Sequence, residues 1–211
     1  MPPGMSGAEA FAGRPLVQWT IESAQRSGLF DRVWICGADE NVARLAEALG
    51  AGVLNDPSSR GGNDAHFDRV IRSMAANVPR GGYTDLYLLR PTTPLRRHET
   101  IRRAWDTYLE HDAEALLSVV AHEHPPQWML VEEDGWLKPL DAEHFEVPRQ
   151  RLVPSYRHDG SHWIARLPLA ASPLTGRTMP FEVDPPEALA VTHVTDLPFA
   201  ESLVRARWQG C

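Results

Sequence analysis

The sequence predicts an α/β fold in which helices cover a parallel sheet. Short apolar runs alternate with segments of helical period from residue 15 to residue 120, which is the pattern of strands joined by right-handed helical crossovers. The chain has 211 residues, of which 43% are hydrophobic, and this is enough for one domain with a sizeable core. We therefore interpret residues 1–211 as a single domain.

The helices are predicted from apolar residues that recur at three- and four-residue spacing. The first helix starts at Pro15, a residue suited to a first helical turn, and Gly28 closes it. The helices in chain order are expected over residues 15–27, 39–49, 65–76, 100–111 and 196–208.

The strands are predicted from short apolar runs that are bounded by glycine or polar turn residues. They are expected over residues 32–37, 51–54, 84–89, 115–120 and 161–167. Ligands of open parallel sheets bind at the carboxyl ends of the strands. The loops after Gly37, Leu89 and Val120 are therefore the first places to look for a site.

Residues 121–157 interrupt the alternation of strands and helices. This segment is rich in proline, histidine, tryptophan and charged residues, and Asp134-Gly135 is a typical hairpin turn. We interpret it as a hairpin-bearing excursion within the domain rather than as a further crossover unit.

Charge and composition argue against several classes of function. The 21 basic and 28 acidic side chains give a net charge of −7, which disfavours a binder of nucleic acid or of anionic membranes. No apolar run is long enough to span a bilayer, and no signal peptide is expected. Cys36 and Cys211 cannot build a disulfide framework or a zinc site, so we predict a cytoplasmic location.

The first candidate site is the turn over residues 90–96, Arg-Pro-Thr-Thr-Pro-Leu-Arg, which directly follows a predicted strand. Its two prolines stiffen the turn. Arg90 and Arg96 offer planar donor groups that suit phosphate or carboxylate, and Thr92 and Thr93 add hydroxyls. The alternative is a well-capped loop with solvated arginines.

The second candidate is the basic segment over residues 148–160. Arg149, Arg151 and Arg157 could bind an anionic substrate, while His158 and Asp159 could bond its hydroxyls. The alternative is a surface loop that supplies positive charge to an acidic protein.

Two groups of side chains are candidate metal ligands. Glu182 and Asp184 would share one face of a strand and could hold Mg²⁺, but Pro185-Pro186 follows and favours a solvated loop. His122, Glu123 and His124 are adjacent in sequence, and neighbouring residues of a strand point to opposite faces. Neither group predicts a metal site by itself.

Five ordered segments of the chain resemble the acylneuraminate cytidylyltransferase family. They are the first helix with its approach (residues 13–22), residues 28–33, the turn over residues 88–96, the Pro-Arg-Gln and His-Asp-Gly motifs of residues 148–160, and the stretch from Thr175-Gly176 to Met179-Pro180. Enzymes of this family activate sialic-acid-type sugar acids as CMP conjugates.

The resemblance implies a three-layer, Rossmann-like nucleotide-diphospho-sugar transferase fold. It also implies a homodimer in which the excursion reaches towards the neighbouring site. The implied reaction is attack of a sugar-acid hydroxyl on the α-phosphate of CTP, with release of pyrophosphate and with Mg²⁺ to offset the phosphate charge.

The resemblance also suggests roles for individual residues. Phosphate or the acid carboxylate would be bound by Arg90 and Arg96. The nucleotide would be contacted by Asp64 and Arg14, with Asp64 as a further candidate for the metal. The substrate side would comprise Thr92, Thr93, Arg149, Gln150, Tyr156, His158 and Asp159.

Two features of the family pattern are not found in this sequence. The family begins with a strand and an Ala-x-Arg-x-Gly-Ser-Lys loop that cradles the triphosphate, whereas Met1 falls where that loop would be ending. The family's Asp-x-Asp metal ligands correspond here to Ala190 and Thr192. Two hypotheses follow: a working cytidylyltransferase, or a degenerate or repurposed relative that binds an anionic ligand or an intact paralogue without turning over CTP.

Overall fold

A four-stranded mixed sheet forms the centre of the computed structural model, which describes residues 7–54, 67–78, 82–169 and 176–208. The strands in chain order are β1 (Ala10–Phe11), β2 (Arg14–Pro15), β3 (Trp34–Cys36), β4 (Gly52–Leu54), β5 (Asp85–Leu88), β6 (Ala115–Ala121), β7 (Leu130–Glu133), β8 (Trp136–Pro139), β9 (Tyr156–Arg166) and β10 (Thr178–Glu182). The helices are α1 (Leu16–Ser27), α2 (Glu40–Ala48), α3 (Phe67–Asn77), α4 (His98–Glu110) and α5 (Leu197–Trp208).

The central sheet has the order β10-β6-β9-β5. Strand β10 pairs parallel to β6, and β9 pairs antiparallel to both β6 and β5, so β5 and β6 run in the same direction. The parallel α/β alternation expected from the sequence is therefore present, with one antiparallel strand inserted between β5 and β6. The inserted strand begins at Tyr156, five residues before the strand predicted over residues 161–167.

Strands β3 and β4 form a separate parallel pair, with α2 as the crossover between them. Asp39 caps α2, because its carboxylate accepts hydrogen bonds from the backbone N–H of Asn41 and Val42 at 2.9 Å each. The apolar faces of α1 and α2 bury Val17, Ile21 and other side chains against this pair. The periodicity seen in the sequence thus marks the buried faces of these helices.

Helix α4 packs on the central sheet through a cluster of buried side chains. This cluster contains Ala104 and Tyr108 of the helix, Leu116 and Ile164 of the sheet, and Phe181 of the edge strand. Tyr108 also donates a hydrogen bond to Asp85 at 2.6 Å, which fixes the helix against the start of β5. The loop between β5 and α4, which is the predicted ligand loop, therefore connects a strand and a helix that are packed against each other.

The excursion contains the predicted hairpin. Strands β7 and β8 pair antiparallel around Asp134 and Gly135, both at positive φ, as a two-residue hairpin turn requires. Leu130, Trp136 and Leu137 are among the exposed apolar side chains of this hairpin, and Trp136 is 75% exposed.

Two short features were not foreseen. Strand β10 lies at the edge of the central sheet and contains Pro180, which is tolerated at an edge but weakens the sequence signal of a strand. The β1–β2 pair is only two residues long on each side. In the described ranges, no helix is long and apolar enough to cross a membrane.

Candidate functional site at the carboxyl end of the sheet

Strand direction gathers most of the predicted site residues at one end of the sheet. Strands β5, β6 and β10 all finish at this end, and the antiparallel β9 starts there. The loop after β5 carries Arg90 to Arg96, and the first residues of β9 are Tyr156 to Asp159. This is the edge at which ligands of open α/β sheets bind.

The side chain of Arg96 holds the ligand loop from the inside. Its Nη2 donates to the carbonyl oxygen of Arg90 at 2.9 Å and to the hydroxyl of Thr93. The Thr93 hydroxyl in turn donates to the same Arg90 carbonyl at 3.0 Å. Thr93 is fully buried and Arg96 is 3% exposed. The turn is therefore fixed by side-chain bonds as well as by its two prolines.

Arg96 carries a buried positive charge. Burial lowers its pKa to about 10, while the nearby carboxylates of Asp159 and Glu187 act in the opposite direction. Among the described residues, Arg96 Nε, Arg96 Nη1 and Asp159 Oδ1 have no hydrogen-bond partner. Arg96 is almost fully buried, and its hydrogen bonds are made within the loop. This placement suits a side chain that organises the loop better than one that contacts a ligand from solvent. The predicted direct role of Arg96 is not tested by these contacts and stays a prediction.

The side chain of Arg90 lies against Gly160 of β9, the strand that pairs with β5. A Cβ added at Gly160 would lie 2.9 Å from Arg90 Cζ, so the guanidinium occupies the space that any other residue would fill. Gly160 also has φ +74°, a conformation in which side chains are strained. The half-buried side chain of Arg90, which follows β5, thus fits where it does because the His-Asp-Gly motif has a glycine at position 160.

A buried polar layer underlies this loop. Tyr87 Oη and His162 Nδ1 are hydrogen-bonded at 2.7 Å, and Ser118 Oγ accepts the backbone N–H of His162 at 2.8 Å. Burial, followed by the charges of Arg96 and Arg103, holds the pKa of His162 well below its ordinary value. Burial likewise raises the pKa of Tyr87. Both side chains are therefore uncharged at neutral pH.

The segment that corresponds to the implied metal ligands does lie beside the ligand loop. The backbone N–H of Val191 donates to the carbonyl oxygen of Thr92 at 2.7 Å. The side chains on either side are Ala190 and Thr192, and the Thr192 hydroxyl donates to the carboxylate of Asp196 at 3.1 Å.

This donor set does not fit the implied Mg²⁺. Alanine offers no ligand atom, and the threonine hydroxyl is engaged by a carboxylate that also accepts two backbone N–H bonds. No group of three histidine, cysteine, aspartate or glutamate side chains within the described ranges is arranged to hold a metal ion.

The substrate-side residues are mostly exposed. Tyr156 and His158 project from the start of β9, where they pair with Ala121 and Val119 of β6. Arg149 and Gln150 lie in a 3₁₀ turn of the excursion, and Arg149 Nη2 donates to the carbonyl oxygen of His122 at 3.4 Å. The end of the excursion therefore lies next to the end of β6. Arg149 and Gln150 are thus at the same end of the sheet as the loop after β5.

The two predicted nucleotide-binding residues are placed differently. Arg14 precedes α1, forms an ion pair with Glu22 at 2.6 Å, and stacks on the ring of Trp19 with its Cζ 4.1 Å from the centroid. Asp64 lies outside the described residues. Arg14 remains partly exposed within this arrangement.

The sequence analysis missed one buried carboxylate of the site. Glu182 and Asp184, which were the candidate carboxylates, are exposed. Glu187, which was not a candidate, is fully buried. Glu187 accepts hydrogen bonds from residues at the start of α4, about 90 positions earlier in the chain. No local pattern in the sequence signals a contact of this kind.

Comparison with known families gives a match to the cytidylyltransferase model over residues 8–159, which is more than half of the chain. A pseudaminic acid cytidylyltransferase of Campylobacter jejuni is 23% identical over 157 residues, covering 72% of this chain and 68% of that protein. An N-acylneuraminate cytidylyltransferase A of Danio rerio is 24% identical over 212 residues, covering 95% of this chain and 47% of that protein.

Solved structures resemble the whole chain. A CMP:2-keto-3-deoxy-manno-octonic acid synthetase in complex with CTP gives a TM-score of 0.64 at 13% identity, covering 96% of this chain and 92% of that one. A 2-C-methyl-D-erythritol 4-phosphate cytidylyltransferase of Thermus thermophilus gives 0.59 at 16% identity, covering 97% and 96%. These likenesses confirm the fold class predicted from the sequence.

Proposed function

Because the chain belongs to the cytidylyltransferase family, whose members are nucleotidyltransferases, we propose that it transfers CMP from CTP to an anionic sugar acid. In this reaction a hydroxyl oxygen of the acid bonds to the α-phosphorus of CTP. The bond between the α-phosphorus and the oxygen that bridges to the β-phosphate breaks, pyrophosphate leaves, and the hydroxyl proton is released to the solvent. The cytoplasmic location predicted from the sequence is part of this proposal.

The observation that carries the proposal is the rigid ligand loop at the carboxyl end of β5. Its Arg90 is held over Gly160, and the side chain of Arg96 fixes the turn from below. A guanidinium placed in advance loses little freedom when it binds an anion, so it stabilises charge on phosphate or carboxylate efficiently. We assign direct ligand contact to Arg90 and a positioning role to Arg96, with Thr92 and Thr93 shaping the loop.

The exposed basic side of the site supports an acidic second substrate. Arg149, Gln150, Tyr156 and His158 are exposed donors near the start of β9, and Asp159 lies buried behind them. An acid bound there would meet positive charge for its carboxylate and polar groups for its hydroxyls. The names of the relatives agree with a sugar acid as the substrate class.

A second candidate function is binding without turnover. The observation that favours it is the pair Ala190 and Thr192 beside the ligand loop, where the family pattern has two aspartates. Such a protein would keep the anion-binding arginines and act as a binder of an acidic ligand or as the partner of an intact paralogue.

Calorimetric titration with CTP, with and without MgCl₂, separates the two functions. We expect wild-type protein to bind CTP in the micromolar range and to release pyrophosphate when a sugar acid is added. Arg90→Ala is expected to weaken CTP binding about tenfold or more, because it removes a charge-assisted hydrogen bond. Arg149→Ala is expected to weaken binding of the acid by a similar factor.

Arg44→Ala is the matched control, since Arg44 is an exposed arginine of α2 that forms an ion pair with Glu40 one helical turn away. It should leave both affinities unchanged. CTP binding without pyrophosphate release for any acid of a sialic, pseudaminic and ulosonic panel would support the non-catalytic candidate. Absence of CTP binding at millimolar concentration would contradict the proposed reaction.

We further propose that the chain forms a homodimer through its excursion. Large apolar side chains are exposed together on β7, β8 and the residues beside them, namely Trp128, Met129, Leu130, Val131, Trp136, Leu137 and Leu140. The hairpin register places Leu130 and Leu137 on one face and Val131 and Trp136 on the other, so both faces expose large apolar side chains. Such a concentration of exposed apolar side chains is typical of an interface rather than of free surface. A partner seated there would also approach Arg149 of the same excursion.

Trp136→Glu is expected to raise the dimer dissociation constant about 30-fold or more, because exposed tryptophans at interfaces are frequent hot spots and a buried charge is costly. Sedimentation velocity over a dilution series measures the change. Leu109→Glu is the control, because Leu109 is similarly exposed but lies on α4. A wild-type protein that is monomeric at all concentrations, or equal effects of the two variants, would refute an interface at the hairpin.

A further inference from the structure

Glu187 is a fully buried carboxylate in the loop that follows β10. Its Oε1 accepts hydrogen bonds from Arg97 Nε at 2.7 Å and from the Thr100 hydroxyl at 3.1 Å. Its Oε2 accepts the backbone N–H of Arg97 at 3.2 Å. All three donors belong to the first turn of α4 or to the residue before it. Neither the family assignment nor the site residues predicted from the sequence include Glu187.

Glu187 bonds the N-cap residue of α4 from a distant loop. Arg97 is that N-cap residue, and its own side chain cannot accept a hydrogen bond from the helix N–H groups. The Glu187 carboxylate accepts the backbone N–H of Arg97, which is the bond that the glutamate of a capping box makes from within the helix. A negative charge at a helix N-terminus is stabilising, and here the carboxylate is shielded from water.

The same loop is tied to the ligand loop at a second point. Four residues after Glu187, the backbone N–H of Val191 donates to the carbonyl oxygen of Thr92. The chain enters this segment through a short turn in which the N–H groups of Glu187 and Ala188 donate to the carbonyl oxygen of Asp184. Residues 187–191 are thus fixed to the loop that runs from Arg90 to Arg97 at two points, Thr92 and Arg97.

The charge of Glu187 also acts on the buried guanidinium of the ligand loop. Glu187 is one of two nearby carboxylates that favour the charged form of Arg96, against the opposing effect of burial. Removing this carboxylate would leave Arg96 with less compensation for its burial.

We propose that Glu187 is a positioning residue for the candidate active site, which clamps residues 187–191 against the ligand loop and thereby holds Arg90 in its ligand-binding position. The clamp acts through Arg97, Thr100 and the Val191–Thr92 hydrogen bond rather than through contact with a ligand. The part of this inference that concerns ligand binding rests on the proposed function, whereas the clamp itself does not.

Glu187→Gln tests the clamp without a large change in shape. We expect the amide of Val191 to exchange with deuterium about tenfold faster or more in the folded protein, because the variant loses the charge in its bonds to Arg97. CTP binding should weaken about tenfold. The loss should appear as a higher KM for CTP, with little change in kcat. Thr100→Val, which removes one neutral donor, should give smaller shifts in the same direction and keeps the test valid if Glu187→Gln folds poorly.

Asp184→Asn is the matched control. Asp184 is a carboxylate of the same loop, 3.6 Å from Arg97 Nη2, but its side chain is 57% exposed. It should leave Val191 exchange and CTP affinity unchanged.

Three outcomes overturn the proposal: unchanged Val191 exchange in Glu187→Gln, equal acceleration of Val191 and of core amides such as Ile164, or effects of Asp184→Asn as large as those of Glu187→Gln. Because exchange is measured without ligand, it tests the clamp even if wild-type protein does not bind CTP, which would instead refute the proposed function.

Discussion

Replacement of Arg96 by methionine is expected to lower the free energy of unfolding by about 3 kcal/mol or more. The variant keeps most of the side-chain volume but removes the donor that holds the Arg90 carbonyl and the Thr93 hydroxyl. It also leaves Asp159 buried without the nearby positive charge of Arg96. Urea denaturation followed by circular dichroism measures the change.

Arg44→Met is the control for this prediction, because the side chain of Arg44 is largely exposed and its ion pair with Glu40 is a local one. Its effect is expected to stay below about 0.5 kcal/mol. If Arg96→Met and Arg44→Met destabilise the protein equally, the interior role that we assign to Arg96 is wrong.

Replacement of Gly160 by alanine is expected to weaken CTP binding about tenfold or more while the protein remains folded. The new Cβ would lie 2.9 Å from Arg90 Cζ, so the guanidinium must leave its position. The displaced Arg90 would then lose the charge-assisted bond to CTP that we propose for it. Calorimetry with CTP measures the loss, and a crystal structure of the variant should show Arg90 moved.

Gly135→Ala separates the displacement of Arg90 from backbone strain. Gly135 has φ +80°, close to the value at Gly160, but nothing lies within 4 Å of its added Cβ. Both variants should lose about 1 kcal/mol of stability from strain, and only Gly160→Ala should lose affinity. Equal affinities for CTP in the two variants would show that Arg90 does not need its place over Gly160.

Elements with strong local signals were predicted well. The observed bounds of α1 and α2 lie within one residue of the predicted ends, because an initial proline or aspartate and a closing glycine mark them. The β7–β8 hairpin follows from Asp134-Gly135, since these residue types accept positive φ. Strand β10 was missed because an edge strand with a proline carries little periodicity.

The candidate site was predicted in part. The ligand loop could be recognised because two prolines, two threonines and two arginines follow a strand, which is a local pattern. The roles within it could not, since the sequence does not distinguish the buried Arg96 from the half-buried Arg90. Burial depends on which strand lies opposite, and that strand, β9, comes about 60 residues later in the chain.

The sequence by itself determined the alternation of helices and strands, the hairpin of the excursion and the family to which the chain belongs. These features depend on residues that are close together in the sequence, so the local pattern is enough to predict them. Only the tertiary structure decided that β9 runs antiparallel between β5 and β6, that Gly160 makes room for Arg90, and that Glu187 bonds the start of α4. The reason is physical: each of these contacts joins residues about 35 to 90 positions apart, and strand pairing and burial at such separations leave no local signature.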